Sequence, residues 1–315
     1  MFEDPASATL LIQKKRMLSS PCSLDSQSKN SILPCSAKVY LTCPSCRAVG
    51  VFSITATMRN ATSLTQHRPW PLPPGPWVMA QTWHDLLFAH WPVPMAALRS
   101  QIPASLEIDT FDGAAWVAVV PFRMSGVRLR GTPSVPWLSA FPELNVRTYV
   151  KRDGKPGVWF FSLDAANAVA VKIARRWFNL PYFRAEMQIQ KHGDWLEYNS
   201  VRTHHGASPA ELVCKYRPTA PPKSPVPGSL EHLLTERYCL YTANASGRLI
   251  RGEIHHAPWA LQLAEAEFAK NSMAHAAGIT LPNTPPLLHF AARQDVIVWP
   301  PTKITWPRPP TICER

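Results

Sequence analysis

Thirty-three prolines in a chain of 315 residues set the first constraint on what this sequence can become. Each proline fixes φ, removes a backbone donor and is excluded from helix interiors and central strands. That many punctuation points argue against a helical bundle and for many short elements joined by stiff turns. Between them the chain is 46% apolar and only 17% charged, a globular composition. Its length suffices for one large domain or two small ones with a sizeable core.

Alternation supplies the elements. LEIDTF (Leu106–Phe111) has the period of a strand, Asp112-Gly113 is a hairpin signal, and AAWVAVVPF follows as a second strand. LNVRTYV (Leu144–Val150) and VWFFSL (Val158–Leu163) flank the turn Arg152–Lys155, and FRAEMQIQ and WLEYNSVR flank Lys191–Asp194. ELVCKYR, RYCLYT, LIRGEIH and DVIVW complete the strands, and WALQLAEAEFAKN reads as strand over helix. Helices are few. Asp164 is placed to cap one through Phe178, with Ala166, Ala170, Ile173 and Trp177 on its apolar stripe. Shorter ones are expected at Met95–Gln101, Leu230–Leu234 and Ser272–Ala277, the last capped by Asn271 and closed by Gly278. Consecutive hairpins predict an α+β fold with a largely antiparallel, barrel-like β core and a few short flanking helices.

Residues 1–75 differ in texture. They are rich in Ser, Thr, Cys and Pro, lack a sustained period and run into RPWPLPPGPW, which predicts an extended linker. The expected organisation is an N-terminal extension over 1–75, either disordered or an over-long start, a domain over 76–300 and a Pro-rich tail over 301–315. The extension holds a CxxC, Cys43–Cys46, with no second pair at zinc-ribbon spacing. The odd count of seven scattered cysteines fits thiols in a reducing cytoplasm. The net charge of +12 includes no run of five like charges and no basic stripe with interleaved aromatics, so nucleic acid is not an expected partner. No segment approaches the roughly 20 apolar residues of a membrane span.

Among chemical motifs, the phosphate-binding, dinucleotide-binding and nucleophile-elbow signatures are absent. Neither HxH nor HxxxH occurs. The His204-His205 and His255-His256 pairs would project to opposite faces of a strand, so no metal and no cofactor is expected. Glu143, Asn145 and Arg147 stand at i, i+2 and i+4 of a strand and share one face, with Leu144, Val146 and Thr148 on the other. Such a face is either solvated or converges on a polar small molecule whose anionic group Arg147 would pair. Glu236, Arg237 and Glu253 read as a salt-bridged hairpin, Arg237 with Glu253, and the roles of His255 and His256 stay open.

Several blocks, taken in order, carry a resemblance. They are LLFAHWPV (86–93), VPFRMSG (120–126), LSAFPELNVRTYV (138–150), FFSLDAA (160–166), LPYFRA (180–185), SLEHLLTERYCLY (229–241), GEIHHAPW (252–259) and LLHFA (287–291). Together they resemble the YqjF-like family, within the acetoacetate decarboxylase-like fold. The resemblance aligns Glu143 with an active-site glutamate, and the segment from Asp164 to Phe183 with an aspartate-led helix whose arginine is Arg175. Where acetoacetate decarboxylases carry a lysine pair after the proline, this chain has Tyr182 and Phe183. A Schiff base needs an amine nucleophile, so the resemblance implies the fold without that decarboxylation. The expectation is a cytoplasmic protein with a pocket for a small anionic organic molecule, with Glu143 and Tyr182 as the candidate catalytic residues and Asn145, Arg147, Arg175 and His255 as the candidate ligand-binding ones. An acid–base enzyme on a small carboxylate or keto acid, and a pocketless scaffold, are the alternatives. A homo-oligomer is compatible with all three.

Overall fold

A computed structural model describes residues 62–304. The CxxC pair, Cys22, Cys35 and Cys313 lie outside the described residues. Thirteen strands form one continuous sheet: β1 (Met79–Val93), β2 (Glu107–Ile108), β3 (Ala115–Leu129), β4 (Phe141–Arg152), β5 (Lys155–Ala165), β6 (Tyr182–His192), β7 (Trp195–Arg202), β8 (Glu211–Pro218), β9 (Cys239–Ala243), β10 (Leu249–His256), β11 (Gln262–Asn271), β12 (Leu287–Val298) and β13 (Thr302–Lys303). Five short helices accompany them: α1 (Met95–Arg99), α2 (Pro136–Ser139), α3 (Ala168–Trp177), α4 (Leu230–Thr235) and α5 (Met273–Ala276).

The hairpins follow from turn chemistry. Asp112 and Gly113 have φ of 48° and 78°, and Asp153 and Gly154 have 52° and 71°. Both central residues of each turn are left-handed, the conformation whose twist matches a two-residue hairpin and which Asp-Gly adopts readily. All pairings are antiparallel except β5 with β6 and β5 with β9.

The sheet closes twice. One ring of nine strands runs β5-β6-β7-β8-β11-β12-β1-β3-β4 and back to β5. The additional pairing of β10 with β12 closes a second ring of seven, β5-β9-β10-β12-β1-β3-β4. Five strands are common to both rings. The outer two of these divide along their length: β5 pairs with β6 at Leu163–Ala165 but with β9 at Val158–Trp159. Likewise β12 pairs with β11 at His289–Phe290 but with β10 at Val296–Val298.

A shared wall buried on both sides sends alternate residues into two different interiors. Leu87, Ala89, Val117, Val119, Leu144 and Val146 join Leu196, Tyr198, Leu212 and Tyr216 in the core that fills the nine-strand ring. Leu86, Phe88, Ala118, Val120 and Phe122 face the other way, with Leu163, Val171, Tyr182 and Trp259.

Three expectations are corrected. The strand expected over Leu106–Phe111 shrinks to Glu107–Ile108, and the Asp109 side chain just beyond it accepts from Arg237 at 2.6 Å. Asp164 does not cap the helix after it. β5 continues to Ala165 and Asn167 is the cap, its side chain accepting from Val169 N and Ala170 N at 3.0 Å each. The Asp164 carboxylate instead receives Arg202 at 2.6 and 2.8 Å. The buried side of α3 is Ala170, Val171 and Ala174, whereas Ile173 and Trp177 are exposed. WALQLAEAEFAKN does supply a strand, β11.

Residues 62–75, expected within the N-terminal extension, lie against the barrel. Arg68 is 8% exposed, donates to Ile254 O at 2.7 Å and lies 4.8 Å above the Tyr238 ring. Trp70 donates to Glu253 at 2.9 Å, and Gly75 O accepts from Trp299 at 3.1 Å. One tryptophan and one arginine set among prolines give this strap anchors that need no periodic pattern. At the other end Thr302–Lys303 pair with β10, so the expected tail begins as a strand.

Candidate functional site

The seven-strand ring encloses a cavity of about 440 Å³. β4 places Glu143, Asn145 and Arg147 on its wall, while Leu144 and Val146 turn into the first core. The alternation expected from sequence therefore holds, with the polar face turned inward and buried, not solvated. The register of β3 against β4 orders the wall by depth. Met124 lies opposite Phe141, Phe122 opposite Glu143, Val120 opposite Asn145 and Ala118 opposite Arg147. The Phe141 end opens beside α2, α3 and the segment after β3, where Leu129, Val135, Ile173 and Trp177 form the rim. The Arg147 end is closed by α4, whose Leu234 O accepts from Arg147 Nη2 at 3.3 Å. Between rim and floor the walls are mostly apolar, with Trp83, Phe88, Phe122, Phe160 and Trp259 prominent.

Two polar stations interrupt this surface. At mid-depth Glu143 is 2% exposed and accepts a hydrogen bond from the Tyr182 hydroxyl at 2.9 Å. Burial pushes its carboxyl up to about 8, the Tyr182 bond opposes this, and nearby Asp164 adds to it. Tyr182 is in turn held well above its ordinary value by its own burial and then by Glu143. Glu143 is thus a largely protonated acid near neutrality, with no basic partner among the described ion pairs.

At the floor Arg147 is 8% exposed, and its guanidinium lies 5.3 Å from the Phe88 ring and 5.6 Å from the Tyr149 ring. No carboxylate pairs with it among the described residues, and neither its Nε nor Asn145 Oδ1 has a hydrogen-bond partner. The neighbouring Arg237 also lines the cavity but is neutralised by Asp109 at 2.6 Å. Behind them His90 Nε2 lies 2.7 Å from the Tyr149 hydroxyl, and burial holds this imidazole well below its usual range.

The remaining expected site residues lie elsewhere. Arg175 is not on the cavity wall; it donates to Tyr182 O at 2.6 Å and so braces the backbone that carries Tyr182. His255 faces the strap, with Nδ1 3.3 Å from Arg68 Nη1 and its ring stacked 5.4 Å from His67. Its neighbour His256 lines the cavity, with its ring nitrogens 2.7 Å from Ala257 O and 3.3 Å from Arg237 O. Burial lowers its pKa, against the pull of those two carbonyls and of Glu236. The expected pair of Arg237 with Glu253 does not form. Cys239 stands opposite Glu253, so Arg237 precedes the ladder, and Glu253 takes Arg251 at 3.1 Å, Lys155 at 3.5 Å and Arg68 at 3.7 Å.

Sequence reasoning did not single out Phe88 or Trp259 as lining a cavity. Strand alternation on β1 would have paired Phe88 with Leu86 on one face, but nothing local says that this face borders a void. No lysine lines the cavity among the described residues.

Comparison with solved structures defines the class. Acetoacetate decarboxylase from Legionella pneumophila superposes with a TM-score of 0.51 at 12% identity, covering 84% of this chain and 98% of that one. The enduracididine biosynthesis enzyme MppR with HEPES bound superposes with a TM-score of 0.51 at 13% identity, covering 74% and 89%. At these identities the likeness is one of fold, and the fold is acetoacetate decarboxylase-like. Residues 80–295 match the DUF2071 family, described as an uncharacterized conserved protein. The uncharacterized protein YqjF of Bacillus subtilis (strain 168) is 48% identical over 235 residues, 75% of this chain and 96% of its own length. The chain belongs to the DUF2071 family.

Proposed function

We propose that this protein binds a small anionic organic molecule in the seven-strand ring, without Schiff-base decarboxylation. The observation that carries the reading is Arg147. A guanidinium taken out of water without a carboxylate costs several kcal/mol. A fold that tolerates this cost beside an open cavity has a counter-anion to receive, and the planar fork of arginine suits a carboxylate. Asn145, one step above it on the same wall, offers an amide to the same group. Tyr182, where acetoacetate decarboxylases carry a lysine, supplies no amine, and among the described residues no lysine reaches the cavity wall. The two described cysteines, Cys214 and Cys239, are buried free thiols, in keeping with residence in the cytoplasm.

The test is calorimetry of the full chain against a panel of mono- and dicarboxylates and keto acids, together with mass spectrometry of whatever co-purifies. At least one carboxylate should bind, and Arg147→Met should weaken it by tenfold or more, the order of one lost charge-assisted bond. Binding unchanged in Arg147→Met would sink the reading. Borohydride trapping with acetoacetate should label no lysine specifically; a stoichiometric adduct on a single lysine would restore the decarboxylase.

A second reading, acid–base catalysis on the bound molecule, is favoured by one feature. The Glu143 carboxyl at about 8 can exchange a proton near neutral pH, beside a hydroxyl that can stabilise an enolate-like charge. Exchange in heavy water of the hydrogens beside a ketone several bonds from the carboxylate of a bound keto acid, lost in Glu143→Gln, would establish it. Binding without exchange leaves the protein a binder.

A further inference from the structure

The cavity is larger and more apolar than a small keto acid requires. An engineered apolar cavity of ~150 Å³ suffices for benzene, so 440 Å³ has room for roughly fifteen or more non-hydrogen atoms. A ligand as small as pyruvate would leave the walls between Glu143 and the rim untouched. The charge at the floor is equally specific. Arg237 is neutralised by Asp109, which leaves Arg147 as one uncompensated positive charge, suited to a monoanion more than to a phosphate. From that floor the wall climbs past Phe88, Phe122 and Phe160 to a rim where Leu129, Val135, Ile173 and Trp177 are exposed together. Four large apolar side chains facing water around one opening continue the inner surface outward.

We propose that the ligand is an amphipathic monocarboxylic acid, its carboxylate on Arg147 and Asn145 at the floor and its aliphatic or arylalkyl body filling the cavity up to that rim. This rests on the reading of the cavity as an anion site and adds the class of acid. The acid enters head first, since the single positive charge lies at the closed end and the apolar rim at the open one. Its body passes Glu143 and Tyr182, so the carbons that could react lie several bonds from the carboxylate.

The experiment is isothermal titration calorimetry of the full chain with straight-chain monocarboxylates from butanoate to dodecanoate, each paired with the primary alcohol of the same length. Affinity should rise about fourfold per methylene, the fold-change of ~0.8 kcal/mol per buried CH₂, up to the length that fills the cavity. Each alcohol should bind at least tenfold more weakly than its acid. Arg147→Met should erase that difference while keeping the dependence on length. The surface variant Leu129→Ser with Trp177→Ser should weaken only the longest acids. If butanoate binds as tightly as decanoate, the amphipathic ligand is wrong while the small-anion reading stands. If alcohols match acids in the unaltered protein, the anion site fails and the proposal with it. If no member of either series binds, both are overturned. The acid–alcohol comparison needs no variant, so a folding defect in Arg147→Met would not blunt the test.

Discussion

Glu143 carries the most pH-sensitive contribution among the carboxylates of the site. Its carboxyl is held near 8 in the folded chain against an ordinary 4.5, so between those values the native state binds a proton that the unfolded state has lost. Stability therefore falls as pH rises from about 4.5 to 8, with an upper bound on the order of 5 kcal/mol from this group alone. Glu143→Gln should behave like the parent at pH 5 and be the more stable of the two at pH 9, read as urea midpoints across that range. A parallel decline in both proteins would show that Glu143 titrates normally. Because Glu143 bonds Tyr182 and Arg147 stands four strand residues away, about 13 Å along β4, their losses should add in the double variant. That both residues share a face was legible in the sequence, since alternation is a local property. That Glu143 pairs with Tyr182 depends on a segment 39 residues distant, which no local pattern encodes.

The seam where β9 meets β5 decides whether the second ring closes, and it is narrow: only Val158–Leu240 and Trp159–Tyr241 pair. Gly157 makes the approach feasible. A Cβ there would come within 2.7 Å of Cys239 O and Sγ and 2.8 Å of the Tyr241 ring. Gly157→Ala should cost about 1–3 kcal/mol by overpacking, with far-UV dichroism retained and carboxylate binding weakened. An unchanged denaturant midpoint would mean that the strands are not this close. Hairpins such as β4–β5 announced themselves through Asp-Gly turns, because both partners and the turn lie within a few residues. The seam did not, since a glycine inside VWFF-type strands reads equally as a bulge, a weak point or a close crossing. The same limit explains the misplaced helix cap. Asp164 and Asn167 are both good caps locally, and only Arg202, on β7, removes Asp164 from the competition.

On the scale of the whole chain, the strap is part of the domain. A chain beginning at Trp77 loses Arg68 and Trp70, uncovering Tyr238 and leaving Glu253 to Arg251 and Lys155. It should melt roughly 5–15 °C below one beginning at Thr62, for a loss of about 2–4 kcal/mol. Melting within a degree would return residues 62–76 to the role of linker. A start at Thr62 is expected to match the full chain. The barrel class was visible before any coordinates because hairpin after hairpin leaves few alternatives to a curled antiparallel sheet. Its double closure was not, because it is made by β12 and β5 each changing neighbours partway along. That shared wall has a consequence for divergence. Every strand in it interleaves two messages, one letter in two for the packed interior and the next for the cavity. A lineage could therefore acquire a different ligand by rewriting alternate letters of β4, at Glu143, Asn145 and Arg147, while the letters between them keep the scaffold standing.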